Sequence, residues 1–418
     1  LRVQDISLDA MTPMERYRAL NDALSRLRGD AYELRINGAD ELILRHDSVM
    51  LEAVNTSFQV HLQVDPDKFA QAYNLAQLLA APSLAAATNS PLLFGRRLWK
   101  ETRVAVFQQA VDTRTSSYYL QDHTSRVHFG RRWVKKSALE LFQEDIARFR
   151  VLLGTRDPGI DPFAEMAAGR PPALKALQLH NSTVYRWNRA CYGISDGKPH
   201  LRIENRVLPA GPTVADEIAN MAFWIGMMQA GMEAFGDVSE RLDFNHARAN
   251  FVGAARRGLA AQLNWLDGRV RPSQELILED LLPLARKGLK DAGVRKEDID
   301  RYLGIIEARV TNQQTGADWQ LASLEAMKGR GTMSQQLCAV TAFSIARQME
   351  NKPGHEWAPA RLTAGAISWK ESYMRVEQIM KTDAITVNQE ELLELVARIM
   401  DWNNIRYVPV EDDKLNVV

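Results

Sequence analysis

The chain has 418 residues, 46% hydrophobic and 25% charged, which suits one large domain with smaller elements and excludes a disordered chain. Its 52 Lys and Arg balance 52 Asp and Glu, so no net field draws it to nucleic acid or an acidic membrane, and any anion site must be local. Two cysteines far apart, Cys191 and Cys338, exclude a disulfide framework and fit a reducing, cytoplasmic setting. The most apolar helical stretch, residues 221–228, is far shorter than the ~20 residues that span a bilayer. The chain opens on Leu1 with no signal peptide, and both of its ends read as cut from a longer protein.

Residues 11–28 carry apolar side chains at helical spacing, and residues 31–45 read as two short strands joined by the turn dipeptide Asn37-Gly38. From Ser57 to Val64 polar and apolar residues alternate strictly, which predicts a strand with one polar face. Pro66 opens a long Ala/Leu-rich helix to about Ala86, and Asn89-Ser90-Pro91 ends it with turn chemistry. Ser137 and Glu140 fit a capping box for a helix reaching about Leu153; residues 154–172, rich in Gly, Pro and Asp, read as a loop. Residues 180–208 hold two strand-like runs separated by Gly193-Ile194-Ser195-Asp196-Gly197. Pro209-Ala210-Gly211-Pro212 then leads into a helix started by Thr213, and the chain is mostly helical as far as Arg347.

The two polar-faced strands are the informative feature. Side chains on a strand alternate with a period of two, so Ser57, Gln59, His61 and Gln63 share one face opposite Phe58, Val60, Leu62 and Val64. Gln and His in such a row suit hydrogen bonding or metal binding in a cavity, although an ordinary exposed strand face has the same pattern. On the later strand His200, Arg202, Glu204 and Arg206 share a face opposite Leu201, Ile203 and Val207. A carboxylate there can hold a hard cation while guanidinium groups grip phosphate oxygens. The competing reading is a cross-strand ladder of salt bridges. Arg186 and Arg189, beside aromatics in residues 183–189, fit either a substrate clamp or an interface.

On these residues the chain resembles the plant-type and bacterial glutamate-cysteine ligases. Residues 55–64, the helix after them, Asn89-Ser90-Pro91 and Arg103 follow the order of that family's Thr-Val-Gln-Val-Asn strand, helix and Asn-Ser-Pro turn. Arg202-Ile203-Glu204-Asn205-Arg206 resembles its Glu-x-Arg strand, Ala222-Phe223-Trp224-Ile225-Gly226 its Ala-Phe-Trp-Val-Gly segment, and Thr315-Gly316-Ala317-Asp318-Trp319 a motif near the end of the ligase domain. The resemblance implies an α+β, glutamine-synthetase-like fold, an antiparallel sheet funnel with helices on its outer side. It implies ATP, Mg2+, a small-molecule carboxylate and an amine as ligands, with the carboxylate activated as an acyl phosphate and then joined to the amine. Carried onto this sequence, it makes Glu204 and His61 metal contacts, Arg206 and Arg103 catalytic contacts, and Gln59 and Arg309 nucleotide contacts. Strand alternation adds Arg202 to the nucleotide contacts. His61 stands where plant-type sequences have Asn and bacterial relatives His. The family's early Glu-x-Glu strand has no convincing match before residue 50: either it precedes Leu1 or it is lost, and its loss would leave a nucleotide-binding regulator without catalysis.

From Arg375 the motifs change. Val376-Glu377-Gln378-Ile379-Met380, Ala384-Ile385-Thr386-Val387, a helix around residues 390–402 and Ile405-Arg406-Tyr407-Val408-Pro409-Val410-Glu411-Asp412 resemble the opening of a cystathionine-β-synthase-type (CBS) domain. That implies residues 1–374 as ligase domain, residues 375–418 as a partial CBS-like α/β element binding an adenine nucleotide, and a homodimer, since such modules work in pairs. Cys191 and Cys338 read as packed thiols, because a nucleophilic cysteine needs a neighbouring base and a lowered pKa.

Overall fold

The two short strands expected near the start form Tyr32–Asn37 (β1) and Glu41–His46 (β2), paired antiparallel, in the computed structural model, which describes residues 3–29, 31–114, 125–155, 159–362, 387–402 and 408–411. Their pairing runs to Asn37 opposite Glu41, so the turn holds three residues, Gly38 to Asp40, and Asn37 stays in the strand. The helix before them, Glu15–Arg28, starts later than its apolar spacing predicts because Pro13 disfavours helical backbone at Thr12 and Met14 is still extended.

The alternation after Ser57 becomes β3, Val60–Val64, at one edge of a three-stranded antiparallel sheet. Its other strands are Asn188–Ser195 (β4) and Lys198–Asn205 (β5), in the order β3-β5-β4. The two strand-like runs of the sequence therefore pair with each other, and the second of them, β5, also pairs with the earlier strand. Of the separator read as Gly193 to Gly197, only Asp196 and Gly197 form the turn, with φ of 52° and 69°. This two-residue Asp-Gly hairpin fixes the register of β4 on β5, with Arg189 opposite Glu204 and Cys191 opposite Arg202; on the other side of β5, His61 lies opposite Glu204 and Gln63 opposite Arg202.

One face of this sheet is sealed. Val60, Ile203 and Ala190 enter the main apolar core together with nearly the whole of helix Phe69–Ala87, which the Ala/Leu run predicts. The helix also pins β4: the Tyr73 hydroxyl donates to the Asn188 carbonyl at 2.9 Å, and the Asn188 amide donates to the Ala76 carbonyl at 3.0 Å. Burying a side chain such as Phe69 contributes roughly 1.5–3 kcal/mol, so the backing of the sheet is far more stabilising than its three-stranded hydrogen bonding alone. The opposite face is left for polar side chains.

Two local expectations change. The helix after Ser137 ends at Arg148, short of Leu153, because Phe149 turns extended and its carbonyl is taken by His180 at 2.9 Å. Within the expected loop of residues 154–172, Pro162–Ala167 forms a short helix: the Asp161 carboxylate accepts from the Phe163 N–H, and Pro162 occupies the first turn. Helices dominate from Val214 to Glu350, as the sequence pattern predicts.

The described strands form one three-stranded sheet and five two-stranded pairs, so they join mixed helix and sheet without one continuous hydrogen-bonded funnel. The chain divides into two compact units, Leu1–Arg361 and Leu362–Val418. In the second, Val387–Asn388 pairs parallel with Val410–Glu411, and helix Leu393–Trp402 lies between them in sequence, a strand-helix-strand unit. The tail motifs at residues 376–380, 384–386, 405–407 and 412 lie outside the described residues. Among the described residues no helix is long and apolar enough to cross a membrane.

Candidate functional site

The polar face of the three-stranded sheet is built by register. β3 supplies His61 and Gln63, β5 supplies Arg202 and Glu204, and β4 supplies Arg189 and Cys191, all on the side away from the core helix. At its centre Glu204 is only 1% exposed. Arg189 donates to Glu204 Oε2 through Nε at 3.0 Å and Nη2 at 2.7 Å, and the Cys191 thiol donates to the same oxygen at 3.3 Å. Arg206 donates to Oε1 at 3.3 Å. His61 Nε2 stands 3.9 Å from Oε2, with its side chain 40% exposed.

Charge decides the character of this face. Burial alone would raise the Glu204 carboxyl, but the Arg189 and Arg206 guanidiniums outweigh it and hold the group below the ordinary carboxylate range. Burial lowers His61, the three arginines lower it further, and Glu204 only partly offsets them, so the imidazole is neutral at pH 7. Burial pushes the Cys191 thiol up to about 11. Arg206 stacks over the rings of Phe107 and Tyr185, at 5.8 and 5.6 Å, which fixes its plane. Near it burial raises the Glu52 carboxyl, with Arg206 pulling it down. Arg202 forms no ion pair among the described residues, and it lines a cavity of about 120 Å³ with Arg189, Cys191 and Tyr192. Three guanidiniums around one ionised carboxylate leave the face net positive and suited to oxyanions.

The ladder reading is thus realised in part, with Arg189 and Arg206 as the partners of Glu204 and Arg202 left over. Gln59 lies exposed just before β3 and one alternation from His61. Arg103 is elsewhere: its Nε donates to Glu101 Oε1 at 3.0 Å, its Nη1 to the Arg206 carbonyl at 3.3 Å and its Nη2 to the Val207 carbonyl, while the guanidinium stacks on Trp187. It braces the end of β5 from behind. Arg309 is not brought to the face at all. It is 2% exposed and spends its donors on Asp216 at 2.8 Å, Asn220 at 2.6 Å and the Ala86 carbonyl at 2.8 Å. The structure thus sets Arg309, expected as a nucleotide contact, among these internal partners and apart from the polar face.

A cleft of about 500 Å³ gathers other singled-out motifs: Thr56, Asn89, Ser90, Arg103, and the loop from Pro209 to Thr213 line it. Glu101 holds its floor by accepting from the Asn89 N–H at 2.8 Å and the Ser90 hydroxyl at 2.9 Å. Thr315 and Asp318 form a complete capping box for helix Gly316–Ala326, and Gly316 is required because a Cβ there would lie 1.9 Å from Asn89 Oδ1. The Thr315 to Trp319 motif thus holds the Asn89-Ser90 turn in place from outside the cleft.

Sequence reasoning left Arg189 as half of an ambiguous aromatic segment and set Cys191 aside. The signal that finds both is the Asp196-Gly197 turn, since counting back along its two strands puts Arg189 opposite Glu204. Arg186, the other arginine of that segment, faces the core and pairs with Asp145 at 2.7 Å.

Magnesium, which the family resemblance implies, needs hard oxygen ligands in near-octahedral array. Among the described residues His61, Cys191 and Glu204 form a trio whose ligand atoms lie within 4.8 Å of one another. One carboxylate already shared by two arginines, one imidazole and one thiol do not fit magnesium.

Fold and face together define a mixed helix-and-sheet protein with an arginine-lined sheet face. Residues 3–339 match the model of glutamate-cysteine ligase family 2 (GCS2), and the chain belongs to that family. No curated protein matches it. Among solved structures it is similar to the glutamate-cysteine ligase of Francisella tularensis in complex with AMP, at 14% identity and a TM-score of 0.34, over 68% of this chain and 59% of that one.

Proposed function

We propose that the protein is an ATP-dependent carboxylate-amine ligase acting on glutamate or a similar acidic compound. The observation that carries this reading is the convergence of Arg189, Arg202 and Arg206 on one sheet face, beside neutral His61, in a chain of this family. In the proposed reaction a substrate carboxylate oxygen attacks the γ-phosphorus of ATP, giving an acyl phosphate and ADP. The amine nitrogen then attacks the acyl carbon, phosphate departs with the bonding electrons, and the nitrogen loses a proton. Arg202, which has no carboxylate partner among the described residues, grips the entering anion, while Arg189 and Arg206, oriented by Glu204, stabilise charge on the transferring oxygens.

The strand-helix-strand tail unit is read as the start of a CBS-type module that takes an adenine nucleotide and pairs two chains into a homodimer; parallel pairing of Val387 with Val410 supports it. Cytoplasmic residence accords with two free thiols. A second reading, a nucleotide-binding regulator that keeps the ligase fold without turnover, is favoured by one observation: both oxygens of Glu204 are already engaged by arginine. ADP release and amide formation, measured with ATP across panels of acidic carboxylates and amines, separate the two. Amide formed in step with ADP supports the ligase; ATP binding with no turnover on any pair supports the regulator.

A further inference from the structure

The mismatch with magnesium points to a different ion. His61, Cys191 and Glu204 come from three neighbouring strands, so their separations are set by the sheet and not by mobile loops. Sγ of Cys191 is 3.3 Å and Nε2 of His61 is 3.9 Å from the same oxygen, Glu204 Oε2. A tetrahedral ion bound to one sulfur, one nitrogen and one oxygen needs those atoms roughly 3.4–3.6 Å apart. We infer that these three side chains form a site for a borderline divalent ion of the zinc type, with Cys191 as a ligand.

The chemistry follows from what the thiol does now. Cys191 donates its proton to Glu204 Oε2; in the bound state the ion takes that proton's place between sulfur and oxygen, and the proton leaves to water. Thiolate and carboxylate together set two negative charges against the ion and the arginines around it. Arg206 on Oε1 and Arg189, which also donates to the Asn181 carbonyl at 3.2 Å, remain as outer partners that orient the carboxylate. Because His61 is exposed, the fourth position opens to solvent, the arrangement that zinc keeps where it also binds a substrate. A soft thiolate with an imidazole selects against magnesium by ligand type.

The test uses the full chain carrying Cys338→Ser, which removes the other thiol, and cobalt(II) as the spectroscopic stand-in. The inference expects a thiolate-to-cobalt charge-transfer band with tetrahedral d–d absorption, both bleached by stoichiometric zinc and unaffected by a large excess of magnesium. Adding Cys191→Ser should abolish the charge-transfer band. His61→Ala should weaken cobalt binding by at least ~100-fold, beyond what loss of an outer partner costs. Absence of the band in the parent, its survival in Cys191→Ser, or displacement by equimolar magnesium would each overturn the inference. The readout is binding, so the result stands apart from whether the ligase reading holds.

Discussion

Two arginine–carboxylate clusters in this molecule use the same chemistry for opposite ends. Around Asp216 the carboxylate is 0% and Arg309 2% exposed at the side chain, and all of the guanidinium's contacts are internal. Around Glu204 the carboxylate is as deeply buried, at 1%, but Arg189 and Arg206 retain 17% and 14% exposure, and Arg202 beside them pairs with no carboxylate among the described residues. The first cluster locks helices Val214–Phe235 and Lys296–Thr311 together; the second leaves unspent positive charge at a surface. What separates a strut from a site is the access left to the guanidiniums, and not the residue types.

The largest effect should come from the strut. Arg309→Leu leaves Asp216 charged and enclosed, so urea unfolding should show a loss of about 3–5 kcal/mol. A loss under about 1 kcal/mol would mean that Asp216 reaches another partner or water, and the comparison would fail. Glu204→Gln should cost less, about 1–3 kcal/mol, since the two arginines it strands can turn to solvent. Its pH dependence carries a sign. Glu204 sits below the ordinary value of 4.5 when folded, so its contribution is fully present above 4.5 and is lost as pH falls through the folded value. Stability curves of parent and Glu204→Gln should therefore converge in acid; divergence would show that the carboxylate is not the charged partner assigned here.

Arg202→Gln sharpens the contrast from the other side. Removing an unpaired guanidinium should change stability by less than about 0.5 kcal/mol. Titration calorimetry with ATP or pyrophosphate should show affinity reduced roughly tenfold or more, the worth of a charge-assisted hydrogen bond. A destabilised variant with unchanged affinity would make Arg202 a strut too. The smallest effect is expected at the tail: a stop after Tyr373 should move the main melting transition by no more than about 2 °C if the two units fold separately. A single transition that falls by much more would join them.

Alternation at Ser57 to Val64 and at Leu201 to Arg206 made both polar faces readable, and pairing the two strands needed nothing beyond their matched faces. Register needed more, because it is set by a turn. Reading Gly193 to Gly197 as one undivided break hid the fact that only Asp196 and Gly197 turn, and with it the places of Arg189 and Cys191. Arg103 and Arg309 show a different limit. Sequence gives the length and charge of an arginine but not where its donors go, and these two end on Glu101, on Asp216 and on backbone carbonyls supplied by distant segments. The helix Pro162–Ala167 was signalled by Asp161-Pro162 and masked by the Gly and Pro around it.

The Asp196-Gly197 hairpin also sets how this gene can change length. A one-residue slip of β4 past β5 exchanges its faces, so that Asn188 or Ala190, now in the core, stands opposite Glu204 while Arg189 and Cys191 turn inward. Deleting one codon from a two-residue turn forces such a slip, whereas an added codon can be taken up by a three-residue turn like the one between β1 and β2, with both faces kept. Insertions at this turn should thus be tolerated where deletions are not, although neither Asp196 nor Gly197 lies on the arginine face.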